Sequence, residues 1–290
     1  MNQTVLMSGA DYFDDKSAIN ALMNDQISVD IEAAQREHAA IRSALESAGI
    51  KVIKIDPPSG CQDGVYTANW ALVKNGKALM SRLPNTRKPE EEYAQKILKQ
   101  QDLEIIKLPE NVKCFSGQGD ALPCGDIVFT QSPYRTTLEA HEHIKALGFN
   151  QVIALQTKPS RNFLGLPKTN KVTGWPDSPT YDIDLAIAVL KFPSENSKGL
   201  IAYCPDVFKK SSQKILENFD KVDKIIVSKH ETLQAFALNL VSNGETVIMN
   251  SGAPEFHKNL ESHGLKVTAL DLPELKKGGG SIRCTTLTLD

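Results

Sequence analysis

Lys51-Val-Ile-Lys-Ile-Asp-Pro57 is a short run of alternating β-branched residues closed by a proline. That alternation reads as a strand. Four further runs resemble it: Leu103-Glu-Ile-Ile-Lys-Leu-Pro109, Gln151-Val-Ile-Ala-Leu155, Lys224-Ile-Ile-Val227 and Leu265-Lys-Val-Thr-Ala-Leu-Asp-Leu-Pro273. Upstream of each stands a stretch whose apolar residues recur at three and four, the helical spacing. These stretches are 31–48, 90–99, 137–147, 211–219 and 255–262. Gly49, Gly148 and Gly264 stand where a helix C-cap is expected. The unit recurs about every 50 residues, which points to a propeller or array. One step is longer and holds an insertion, 157–180, rich in Lys, Pro, Asn and Ser. A loop of that length is commonly functional, and a lid is one expectation. The competing architecture is a doubly wound α/β sheet, which alternates the same elements. No GxGxxG lies between a strand and a helix, and Gly278-Gly-Gly280 precedes a strand-like run, so no nucleotide cofactor is expected.

Composition narrows the function classes. The 290 residues carry 33 Lys+Arg against 35 Asp+Glu, a formal charge of −2, with 41% hydrophobic residues. Such a balance supports neither a nucleic-acid partner nor a polybasic membrane patch. No apolar run approaches the roughly 18 residues of a membrane span. The opening stretch Met1–Asp15 lacks a basic region followed by a long apolar one, so a cytoplasmic location is expected. Five widely spaced cysteines, an odd number, fit a reducing compartment rather than a disulfide scaffold. Cys61, Cys114, Cys124 and Cys204 read as buried, inert thiols.

Polar clusters follow several of the strands: Gln62–Asn69, Phe115–Asp120, Tyr181–Asp184 and Gly278–Cys284. In a radial array equivalent turns converge on one axis. Convergence would gather carboxylates and a thiol about one pocket. A planar guanidinium, whose N–H fork matches carboxylate geometry, is the natural guest.

Several segments, in order, resemble the amidinotransferase superfamily of guanidino-group-modifying enzymes, the five-bladed α/β propellers called penteins. They are Asp11-Tyr-Phe13 with Ile19-Asn20 and Met23, Asp63-Gly-Val-Tyr-Thr-Ala-Asn69, Arg87-Lys-Pro-Glu90, Tyr134-Arg-Thr136, Phe236-Ala-Leu-Asn239 and Gly278-Gly-Gly-Ser-Ile-Arg-Cys284. The likeness is to the hydrolase branch, which includes dimethylarginine dimethylaminohydrolase and arginine deiminase. It implies one catalytic domain over residues 1–290, built from repeated ββαβ units, without metal or other cofactor. It implies a guanidine substrate and leaves a homodimer open. Cys284 would be the nucleophile, forming a covalent thiouronium that water resolves. Asp120, Asp182 and Asp184 would share the catalytic work. Asp63, Asn69, Ser116, Gly278 and Phe13 would bind substrate, and Arg87 and Arg135 would suit a substrate carboxylate.

Two positions depart from the family pattern. Ser116 stands where the family has a glutamate, and Asp182 where it has the histidine that moves protons. None of the six histidines falls in a family motif. Either Asp182 takes over proton transfer, which requires a raised pKa, or it holds the guanidinium and another group moves protons. The departures also leave open an amidinotransferase with an amine acceptor, or a guanidine-binding protein without turnover.

Overall fold

A computed structural model describes residues 1–24 and 28–290. Its strands form five separate three-stranded sheets, not one continuous sheet, which removes the doubly wound alternative. In chain order, β1 (Thr4–Met7), the helix Ile31–Ser47 and β2 (Lys51–Lys54) begin the first unit. The second holds β3 (Ala71–Lys74), β4 (Lys77–Met80), the helix Lys88–Lys99 and β5 (Glu104–Ile106). The third holds β6 (Ala121–Cys124), β7 (Ile127–Gln131), the helix Ala140–Ala146 and β8 (Gln151–Leu155). The fourth holds β9 (Ile187–Lys191), β10 (Gly199–Tyr203), the helix Lys210–Asn218 and β11 (Val222–Ile226). The fifth holds β12 (Val241–Ser242), β13 (Thr246–Asn250), the helix Pro254–Ser262 and β14 (Lys266–Leu270). A last strand, β15 (Leu287–Thr288), pairs antiparallel with β1 and completes the first sheet.

The pairing explains the repeat. In each sheet the first strand is antiparallel to the middle one, and the middle is parallel to the third. Antiparallel neighbours need only a short turn, whereas a parallel neighbour needs a crossover, which the helix supplies. The expected ββαβ unit is therefore present, and the strands legible in the sequence are the third of each unit. Asp30 caps the first crossover helix by accepting the Ala33 amide at 3.0 Å. Ala34, Ile41 and Leu45 form its buried apolar face. The backbone turns left-handed at Gly49, Gly148 and Gly264, where the crossover helices end.

Five turns lead into the five innermost strands: 63–69, 116–120, 181–185, 236–239 and 278–286. Contacts between β6 and β9, and between β9 and β12, mark those strands as an inner ring. Gln118 fastens two turns across the ring. Its Nε2 donates to the Thr288 carbonyl at 2.8 Å, and its Oε1 accepts the Thr288 amide at 2.9 Å.

The C-terminal run corrects one expectation. Ser281–Thr286 is turn, not strand, and regular pairing starts at Leu287. The amides of Thr285 and Thr286 bond back to the carbonyls of Ser281 and Arg283, which coils the segment. No helix among the described residues is long and apolar enough to cross a membrane.

Candidate active site

Where the turns meet lies a narrow, tight cavity, lined by Asp63, Asn69, Arg87, Ser116, Arg135, Asp182, Gly278 and Cys284 together with Asn20, Tyr66 and Tyr181. Residues as far apart in sequence as Asn20 and Cys284 thus share one wall, because the turns before the inner strands converge there.

Asn69 organises one side. Its Nδ2 donates to Asp182 Oδ2 at 2.8 Å and to Ser116 Oγ at 2.9 Å, and its Oδ1 accepts Arg87 Nη1 at 2.8 Å. Gly119 permits this approach: a Cβ there would sit 2.5 Å from Asn69 Nδ2 and 2.9 Å from Asp182 Oδ2. The Arg87 fork is already occupied. Nε and Nη2 hold the two oxygens of Glu90 at 2.8 and 2.7 Å, and Nη2 also reaches the carbonyls of Asp63 and Tyr66. Burial opposes its charge, but Glu90 more than compensates and holds it protonated. Arg87 is therefore neither a surface ion pair nor an open carboxylate receptor.

Arg135 is placed differently. It is buried, donates to the Ile19 carbonyl at 2.6 Å, and packs over Tyr181 and Trp175, its central carbon 4.8 and 5.5 Å from the ring centres. No carboxylate among the described residues forms an ion pair with it. Trp175 comes from the insertion, whose Asn170 also donates to the Ala18 carbonyl at 3.1 Å, so the insertion packs behind Arg135 and not on the cavity wall itself.

The carboxylates are buried and incompletely satisfied. Asp63 Oδ1, Asp182 Oδ1 and Asp184 Oδ1 have no hydrogen-bond partner. Buried unpaired acceptors are costly unless a ligand completes them. Burial pushes the Asp63 carboxyl up to about 6. Burial also raises Asp182, against Arg135 and the hydrogen bonds of Asn69 and Ser116, which lower it. Asp184 is held well above the usual carboxylate range by burial and by the neighbouring Asp182. No group of three or more His, Cys, Asp or Glu among the described residues is gathered so as to hold a metal ion.

Cys284 is 2% exposed and stands between two opposed partners. Its Sγ accepts from Asn239 Nδ2 at 3.1 Å and donates to Asp184 Oδ2 at 3.4 Å. Burial, then Asp184 and Asp182, push the thiol well above its ordinary value, which favours the protonated form. Gly280 lies close by, since a Cβ there would meet Cys284 Cβ at 2.9 Å.

Three of the sequence-based site residues do not line the cavity. Phe13 packs edge-on against Tyr66 with ring centres 5.8 Å apart and backs Gly278; it supports the wall and does not line the cavity. Asp120 is fully buried behind Asp182, where its Oδ1 accepts the Ile183 amide at 2.9 Å and so shapes the 181–185 turn. Asp184 faces the sulfur from behind and lines a second, small cavity with Gln118 and Arg283, away from Asp63. Gly278 lines the cavity, and its carbonyl accepts from Asn20 Nδ2 at 3.1 Å. Asn20, Tyr66, Tyr181 and Asn239 were not picked out as site residues from sequence. For Asn20 and Asn239 a signal existed, since both stand in motifs that carry the family resemblance. The four other cysteines are buried.

No family model matches the chain. Two relatives nevertheless extend over nearly all of it. Dimethylarginine dimethylaminohydrolase of Mycobacterium tuberculosis is 30% identical over 273 residues, covering 94% of this chain and 81% of that protein. The bifunctional arginine dihydrolase/ornithine cyclodeaminase ArgZ of Synechocystis sp. is 26% identical over 291 residues, covering 98% of this chain and 37% of that longer protein. The solved N-terminal domain of an ArgZ variant, covalently bound to a reaction intermediate, shares the fold at a TM-score of 0.84 and 24% identity over 99% of this chain and 97% of that one. With the five-unit ring, the cysteine-bearing last turn and a relative at this identity, the chain belongs to the dimethylarginine dimethylaminohydrolase and arginine dihydrolase group of the pentein superfamily, hydrolases of guanidine C–N bonds.

Proposed function

We propose that this chain, as one catalytic unit over residues 1–290, hydrolyses a guanidine of the arginine class through a thiouronium on Cys284. One observation carries the reading. A buried thiol shares a cavity with Asp63 and Asp182, each with a carboxylate oxygen that no protein group satisfies. A guanidinium supplies the missing donors and the missing positive charge. Its arrival favours an ionised Asp63 and a thiolate, since opposite charge stabilises both, while Asp182 keeps the proton it later gives up.

The thiolate then attacks the central guanidinium carbon. A C–S bond forms, the C–N bond to the departing nitrogen breaks, and that nitrogen takes a proton to leave as ammonia or an alkylamine. Asp182 stands at the position the resemblance gives to histidine, and its raised pKa suits it to supply that proton. Asp182, now ionised, takes a proton from water as that water attacks the thiouronium carbon; the C–S bond then breaks, and a ureido product leaves with the Cys284 thiolate and protonated Asp182 restored. Arg135, held between aromatic rings and free of a carboxylate among the described residues, is the receptor for a substrate carboxylate. Arg87 works indirectly by fixing Asn69.

Incubation with arginine, methylated arginines, agmatine and guanidinoacetate tests this reading. Ammonia or alkylamine release with a mass increase on Cys284 in quenched samples is the expected result. Neither product nor adduct from any of them overturns it.

A further inference from the structure

The sulfur of Cys284 has a donor on one side and an acceptor on the other, and neither is a histidine. Asn239 Oδ1 accepts the amides of Ser281, Arg283 and Cys284 at 3.0, 3.1 and 3.3 Å, while its Nδ2 points at Sγ at 3.1 Å. A single side chain thus holds both the backbone of the cysteine turn and the sulfur. Opposite it, Asp184 Oδ2 receives the S–H at 3.4 Å. The other oxygen of Asp184 is unpartnered, and the residue borders the small rear cavity. From these contacts we propose that Asp184 is the base that ionises Cys284 and that Asn239 is the donor that holds the resulting thiolate.

The step is balanced within three residues. The S–H bond breaks, an O–H bond forms on Asp184 Oδ2, and the electron pair stays on sulfur, facing the Asn239 N–H. No net charge enters or leaves the buried site, which avoids the desolvation cost of a lone buried anion. The groups facing this pair are Asp182 from the turn of Asp184, Gln118 from the third-unit turn, Arg283 from the cysteine turn, and Tyr66 and Tyr181 around the sulfur. Arg283, whose Nε lacks a partner, supplies the nearest positive charge. The assignment takes Cys284 as the nucleophile from the functional reading above, but does not depend on which guanidine is used.

Alkylation of Cys284 by iodoacetamide, followed by peptide mapping across pH, tests it without any substrate. In the wild type the rate rises in two steps, the lower one from the singly ionised pair in which the proton sits on Asp184. Asp184→Asn leaves a single step, because the shared proton is gone. Asn239→Asp replaces the donor with an acceptor, moves the profile to higher pH, and slows alkylation at neutral pH by roughly tenfold or more. A single step in the wild type, two steps surviving in Asp184→Asn, or an unmoved Asn239→Asp profile overturns the assignment. The infrared difference spectrum of wild type against Cys284→Ser needs no variant at either partner. A red-shifted S–H band supports donation to a carboxylate, and a band at the free-thiol position overturns it. Loss of turnover with an intact two-step profile would count against the functional reading alone.

Discussion

Arg87 meets Glu90 through a two-point contact, Nε to Oε1 at 2.8 Å and Nη2 to Oε2 at 2.7 Å, with both side chains almost wholly out of solvent. Glu90 Oε2 also accepts the indole N–H of the buried Trp70 at 3.0 Å. The pair sits three residues apart at the start of the Lys88–Lys99 helix and reaches the cavity only through Asn69. A motif that resembles a carboxylate receptor in sequence is, in the fold, a brace.

Removing one half of that brace leaves an unpaired buried charge. Glu90→Ala should lower the unfolding free energy by about 3–5 kcal/mol. Denaturant titration measures this, and a loss under about 1 kcal/mol would show the pair to be dispensable.

Asp63 predicts a conflict between stability and binding. Its carboxyl titrates near 6 in the folded chain, against 3.8 as the ordinary value. The folded state therefore holds its proton longer than the unfolded state, and stability falls as pH rises through that window. Asp63→Asn should be more stable than wild type above pH 6, by up to about 3 kcal/mol. Guanidine binding, measured by calorimetry on Cys284→Ser, should weaken as pH drops below about 6 and be lost in the Asp63→Asn background. Undiminished binding in that background would remove Asp63 from the site.

Gly119→Ala tests the packing around Asn69. The new Cβ falls within 3 Å of both Asn69 Nδ2 and Asp182 Oδ2, forcing that hydrogen bond apart. Turnover should drop at least tenfold, about 1.4 kcal/mol in the barrier, while circular dichroism stays unchanged. Wild-type kcat would show that the Asn69–Asp182 contact is not used.

Arg135→Gln addresses substrate recognition. KM for arginine should rise by roughly 10–100-fold, the usual worth of hydrogen bonds to a charged group, with kcat little changed. Agmatine, which lacks the carboxylate, should be handled equally by variant and wild type. Equal losses on both substrates would place Arg135 in the chemistry or the scaffold instead.

How much was legible beforehand varied by element. Each outermost strand and its crossover helix carried its own periodicity, because a half-buried strand and an amphipathic helix must each show an apolar face. Only Val241–Ser242 and Leu287–Thr288 form β12 and β15, too few residues for alternation to register. The residues of the coil at Ser281–Thr286, Thr and Ile among them, suit a strand, while the contact that bends it, Asn239 some forty residues away, leaves no local trace.

Within the site, residue types were informative and orientations were not. Asp120, Asp182 and Asp184 read alike as acidic members of turns, yet one props a backbone amide, one faces the cavity, and one takes the S–H of Cys284 from behind. Sequence alone determined that this chain repeats a strand–helix unit and carries acids, arginines and a late cysteine in guanidine-enzyme order, because periodicity and residue chemistry are local properties. Tertiary structure decided which arginine is already paired, which carboxylate meets the sulfur, and that Asn239 belongs to the site. Those are facts of direction and distance between turns far apart in the chain, and they exist only once the ring has closed.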